Sequence, residues 1–175
     1  MRGAEPQLFP VAQQDAFRDI LTRRWSSLPL VVFGMQNPST ADERRDDPTT
    51  HRITNFARRW GYGGWAVVNL RRWRSPDPAQ MYRWWDAMTP AGQEEHARRS
   101  MEIMVDIASG GDLFVAAWGN GRPGDTLPAR ALAELRRAGI TPHHLGITMS
   151  GAPKHPLARG LHRIPDDRLP TRWDE

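Results

Sequence analysis

The sequence predicts an α/β fold, a three-layer α/β/α sandwich around a central, mostly parallel four-stranded sheet. Four short runs are apolar at consecutive positions, as in strands buried on both faces. Segments with helical spacing separate them, as crossover helices do. A length of 175 residues suits one domain spanning 1–175. Its core is expected at about 28–160, with a loose charged tail at 164–175.

The elements follow in order. An opening helix is expected over 11–25, with Phe17, Ile20, Leu21 and Trp25 on one side. Leu30 to Phe33 reads as the first buried strand. It runs into a loop, Gly34 to Asp42, that Pro38 keeps from being helix or central strand. Thr49 or Thr50 can cap a helix to Trp60, which presents Ile53, Phe56, Ala57 and Trp60 on one face before Gly61. Trp65 to Leu70 reads as the second strand, followed by the basic, proline-containing loop R-R-W-R-S-P-D-P. Thr89-Pro90 is a cap and first-turn signal for a helix toward Ala108, closed by Gly110-Gly111. Leu113 to Trp118 reads as the third strand, a helix is expected from Leu127 to Ala138, and His144 to Thr148 as a short fourth strand.

Composition narrows the chemistry. Charged residues make up 25% and hydrophobic residues 39%, and no run approaches the length of a membrane span, so a soluble cytoplasmic protein without an export signal is expected. Cysteine is absent, which excludes disulfides, a thiolate nucleophile and a Cys-based zinc site. Of 24 Lys and Arg residues only Lys154 is lysine, and the net charge is +4. Arginine forks suit phosphate, though a GC-rich genome produces the same bias. Trp25, Trp60, Trp73, Trp84 and Trp85 each lie within two residues of an arginine. That pattern fits a base-stacking surface or internal Arg–Trp packing. Neither phosphate-loop nor dinucleotide fingerprint is present, and no G-x-S-x-G elbow. G-N-G-R-P-G at 119–124 reads as a turn, and His143-His144 lacks a metal-ligand partner spacing. No metal and no cofactor are expected.

Ligands of parallel α/β sheets bind beyond the carboxyl ends of the strands. The polar motifs fall there: Asn37 after strand one, Asn69 ending strand two, Gly119-Asn120 after strand three and His155 after strand four. Asp42, Glu43, Asp46 and Asp47 cluster in the first loop. They read as a helix-capping, self-paired loop or as the source of a general base or electrostatic stabiliser.

The set N-P-S-T-A-D, D-D-P-T, W-G-Y-G, V-V-N-L, A-W-G-N and K-H-P-L, roughly Leu30 to Leu157, closely resembles a bacterial and phage family carried as a domain of unknown function. A more distant likeness is to the uracil-DNA glycosylase superfamily. M-Q-N-P at Met35–Pro38, V-V-N at Val67–Asn69, W-G at Trp118–Gly119 and H-P at His155–Pro156 resemble that superfamily's motifs in order. Asn37 stands where the most active uracil enzymes have Asp, Leu157 where a small polar residue is usual, and the acidic insertion has no counterpart. Uracil itself is therefore not the expected substrate.

The resemblance implies a DNA glycosylase that flips out a modified base and hydrolyses its N-glycosidic bond, leaving an abasic site. Occurrence with phage implies defence against hypermodified DNA, such as hydroxymethylated or glucosylated cytosine. Asn37, Asp47, Asp46 or Asp42, and His155 are the catalytic candidates, with the acids unranked. Met35, Gln36, Asn69 and Trp73 are the base-binding candidates, and Trp73 can equally pack on its loop. Ser39, Thr40, Arg71, Arg72, Arg74 and Lys154 are the DNA-binding candidates. The expected partner is DNA carrying a modified base, bound by a monomer. A non-catalytic reader of modified nucleic acid and a hydrolase of free nucleotides or nucleosides are the alternatives.

Overall fold

The computed structural model describes residues 16–39 and 46–174. Its centre is a six-stranded mixed sheet built from β1 (Leu21–Arg24), β2 (Leu30–Met35), β3 (Gly64–Asn69), β4 (Leu113–Ala116), β5 (Pro142–His144) and β6 (Thr171–Arg172). The strand order is β1-β3-β2-β4-β5-β6. The inner four pair in parallel and the two edge strands run antiparallel. Four helices are α1 (Pro48–Arg59), α2 (Pro78–Asp86), α3 (Pro90–Ser109) and α4 (Leu127–Arg137).

β2 and β4 throughout, and β3 up to its last residue Asn69, carry no polar side chain because each feeds two cores. Side chains alternate across a strand. Val31, Phe33 and Met35 of β2, with Trp65 and Val67 of β3, pack on Ile53, Phe56 and Ala57 of α1. Val32, Ala66, Val68, Phe114 and Ala116 point the other way, against α2, α3 and α4. The sheet is thus covered by helices on both sides.

Helix starts follow local chemistry. Asp47 caps α1 in a reciprocal box with Thr50, Asp77 caps α2 and Thr89 caps α3, and each helix opens on proline. The expected spans of α3 and α4 agree with the structure to within one residue, whereas α1 is capped by Asp47 and not by Thr49 or Thr50, and so starts two or three residues earlier than expected.

Four expectations are corrected. The sheet has six strands, not four, because both edges are closed by short antiparallel segments. Residues 21–24 form β1 rather than the end of a helix: their backbone closes the open edge of β3, with Leu21 opposite Val67. Residues 11–15 of that expected helix lie outside the described residues. The fourth strand is Pro142–His144, not 144–148. The tail is not loose. Ile164 is buried in the α1-side core, the Trp60 indole donates to the Arg168 carbonyl at 3.0 Å, and β6 pairs with β5. Helix α2 lies where only the end of a proline-containing loop is expected; Asp77-Pro78 starts it as Thr89-Pro90 starts α3.

Candidate functional site

The sheet reverses its winding between β2 and β4, since the connection from β2 leads to one side and the connection from β3 returns past it to the other. Carboxyl ends splay at such a point and leave a crevice. A cavity of about 410 Å³ opens there, lined among others by Met35, Gln36, Asn37, Ser39, Asp47, Asn69, Tyr82, Trp118, Asn120 and His155. Gly119 adopts φ +72°, and a Cβ on it would approach the His155 Cβ to 3.2 Å. The glycine therefore lets the loop after β4 lie against the loop that carries His155.

Asn69 ends β3 at the floor of the cavity. It is 2% exposed, and neither its amide nitrogen nor its amide oxygen has a hydrogen-bond partner among the described residues. A buried primary amide with nothing to bond is costly and rare in a folded protein. On the neighbouring strand end, Gln36 donates from Nε2 to the Tyr82 hydroxyl at 3.0 Å, and its buried Oε1 also lacks a partner.

Asn37 spends its amide nitrogen on the loop, donating to the Ser75 carbonyl at 2.8 Å and the Pro38 carbonyl at 3.1 Å. Because only the NH₂ end can donate to two carbonyls, Oδ1 is left as an acceptor on the cavity wall. Asp47 joins cap and cavity. Burial pushes its carboxyl up, but hydrogen bonds from the Ser39 hydroxyl, the Thr50 and Thr49 backbone and the Thr50 hydroxyl prevail and hold it below the ordinary value. It is therefore an anion at neutral pH. His155 has the opposite balance: burial lowers its pKa and the Asp47 charge offsets this only in part. Its Nδ1 accepts from the Leu157 backbone N–H at 3.1 Å, so the neutral ring carries its proton on Nε2. The cavity thus combines a fixed anion, a neutral imidazole donor, an amide acceptor and an unpaired amide.

Several candidates stand elsewhere. Asp46 is exposed, pairs with Arg23 at 2.8 Å and is not among the residues that line the cavity. Trp73 stacks on Trp84 with ring centroids 5.4 Å apart and does not line the cavity; its role is packing. Arg71 is corrected from phosphate contact to buried framework. It is 2% exposed, forms a two-bond pair with Asp125 at 2.9 Å, and lies over the Trp85 and Tyr82 rings. Arg72 bonds Asp19 at 2.6 Å. Arg74 and Lys154 are half-buried and have no carboxylate partner among the described residues. Thr40 and Asp42 lie outside the described residues.

Tyr82, Trp118 and Arg18 also line the cavity and stand outside the candidates from sequence. Trp118 lies in the A-W-G-N motif, which marks a strand end. Tyr82 carries no local signal, because it reaches the cavity from the middle of α2. No cluster of metal-ligating side chains occurs among the described residues, and no described helix is long and apolar enough to cross a membrane.

Fold and site together define an α/β protein whose cavity, at the carboxyl edge of its sheet, is lined mainly by apolar surface with a few converging polar side chains. The chain belongs to the family described as a protein of unknown function (DUF1643), which it matches over residues 18–157. No curated protein and no solved structure matches it.

Proposed function

We propose that the protein is a DNA glycosylase acting on a modified base, as its distant likeness to the uracil-DNA glycosylase superfamily implies. The observation that carries this reading is the unpaired Asn69 amide at the floor of the cavity. An amide offers a donor and an acceptor side by side, the pattern needed to bond the edge of an extruded base.

The surrounding groups suit the rest of the reaction. Breaking the base–sugar bond leaves positive charge on the sugar and negative charge on the departing base. The Asp47 carboxylate, held ionised by its hydrogen bonds, stabilises the sugar cation. Asn37 Oδ1 accepts a hydrogen from the attacking water and orients it. That water adds its hydroxyl to the sugar and its proton ends on the base, while His155 Nε2–H bonds the base as charge builds on it. Lys154 and Arg74, half-buried and with no carboxylate partner among the described residues, are the candidates for phosphate contact. Met149 is 97% exposed beside Ser150, which bonds Asn120 of the cavity wall at 2.8 Å. A protruding apolar side chain near the cavity mouth suits insertion where a base has left the stack.

The test is incubation with DNAs carrying single modified bases, cytosine modifications included, followed by alkali. Strand breaks at the modified position are expected. Asn37→Ala should lower abasic-site formation by ~10²-fold, the scale of a positioned catalytic group, with DNA binding retained. Binding without abasic sites on any substrate would make the protein a reader of modified DNA instead.

A further inference from the structure

Gln36 is held in one orientation by a chain of buried contacts. Arg71 makes two bonds to Asp125, at 2.9 Å each, and the pair is almost wholly buried. Its guanidinium keeps Asp125 ionised, so the carboxylate can only accept. The Tyr82 hydroxyl has one proton and gives it to Asp125 at 3.1 Å. What remains on the Tyr82 oxygen are acceptor positions, filled by the Arg122 backbone N–H at 3.1 Å and by Gln36 at 3.0 Å. The end of Gln36 that meets Tyr82 must therefore be the NH₂, and the other end, Oε1, is an acceptor with no partner. Gln36 and Asn69 stand on neighbouring strand ends: the Leu70 N–H bonds the Met35 carbonyl at 2.8 Å and the Arg71 N–H bonds the Gln36 carbonyl at 3.1 Å.

We propose that Gln36, locked by Tyr82, makes the cavity select a base with an exocyclic amino group over the corresponding oxo base. This rests on the reading that the cavity receives an extruded base. Donors and acceptors decide the preference by their number, however the base lies. Two buried oxygens, Asn69 Oδ1 and Gln36 Oε1, need donors, and one nitrogen, the Asn69 Nδ2 with its two N–H bonds, needs at least one acceptor. The Watson–Crick edge of cytosine or adenine has an amino group with two N–H donors beside a ring nitrogen that accepts, which satisfies all three. The same edge of uracil or hypoxanthine has one N–H. It leaves one protein oxygen unpaired or facing a second oxygen. Sites built to bond a donor discriminate strongly against a ligand lacking it, because the protein group is stranded.

The test uses binding alone, so it does not depend on turnover. Fluorescence anisotropy is measured on duplexes with one nucleotide opposite an abasic analogue, its sugar fluorinated at the 2′ position to block cleavage. Two matched pairs are compared, 5-hydroxymethylcytosine against 5-hydroxymethyluracil and adenine against hypoxanthine, with an abasic duplex as control. At least one pair should favour the amino member by ~10-fold or more. Gln36→Leu should abolish that preference, and Tyr82→Phe should shrink it by freeing the Gln36 amide to turn over. Binding above the abasic control but equal within both pairs would overturn the inference and leave the base-binding reading intact. A preference that survives Gln36→Leu would overturn it as well. Every probe binding only as well as the abasic control would overturn the base-binding reading itself, and this inference with it.

Discussion

Replacing Asn69 with leucine should make the protein more stable while removing its ability to hold a base. The side chain is 2% exposed and both of its polar atoms lack partners among the described residues. Each buried unsatisfied polar atom costs ~1–3 kcal/mol, and an apolar group of similar shape removes that cost. Leucine has the same number of side-chain heavy atoms; its two methyls are slightly bulkier than the amide oxygen and nitrogen they replace, but the position borders a cavity of about 410 Å³, so they need not crowd the core. Some of the gain is offset by imperfect repacking, which leaves a net stabilisation of ~1–3 kcal/mol. For a domain of this size each 1 kcal/mol moves Tm by ~2–4 °C, so melting should rise by ~2–12 °C. The assay is a thermal melt of wild type and variant, paired with anisotropy on a duplex carrying the modified base. Affinity for that probe should fall toward the abasic control. A variant that melts lower than wild type by an amount worth ~1 kcal/mol or more would refute the reasoning. It would mean that the amide works within the fold and is not held ready for a ligand.

Titration, framework and DNA contact can each be probed separately. The His155 pKa is lowered by burial, opposed by Asp47, so the folded state resists protonation. This histidine therefore contributes stability that is fully present above its ordinary value of 6.5 and is lost as pH falls through the lowered folded value. Stability–pH curves for wild type and His155→Gln should converge on acidification from neutral pH, and parallel curves would contradict the shift. Arg71→Met strands a buried Asp125 carboxylate and should cost ~3–5 kcal/mol in denaturant unfolding; a surface role would show less than ~1 kcal/mol, the usual worth of exposed pairs. Neutralising Arg74 and Lys154 together should lower the slope of log K against log salt for duplex binding by roughly 0.9 for each phosphate that is no longer neutralised. An unchanged slope would remove both from the interface.

Val31, Val32 and Phe33 announce a doubly buried strand because no polar side chain interrupts them, and that property belongs to the residues alone. Thr89-Pro90 announces a helix start for the same local reason, since cap and first turn are made within four residues, whereas α1 is capped by Asp47 and not by the Thr49 or Thr50 expected. Asn37, Asn69 and His155 were expected together because parallel strands deliver their following residues to one edge, and all three line the one cavity there. Trp73 was ambiguous on sequence, and the Trp84 ring that holds it lies on a helix eleven positions away. Arg71 and Arg72 look alike as neighbours in a basic loop. One points under the sheet edge to Asp125 and the other meets Asp19.

The sequence by itself determined the α/β class, three of the four inner strands, three of the helices and the sheet edge at which the cavity opens. These depend on side-chain periodicity, caps and strand direction, which are local. Tertiary structure alone decided the two antiparallel edge strands, because a strand of four residues or two becomes one only when an open backbone edge waits for it. It also decided that Asp47 faces the cavity while Asp46, the residue before it, pairs with Arg23 outside. Above all it left Asn69 and Gln36 Oε1 without partners, since an unpaired polar group is defined by every atom that fails to reach it.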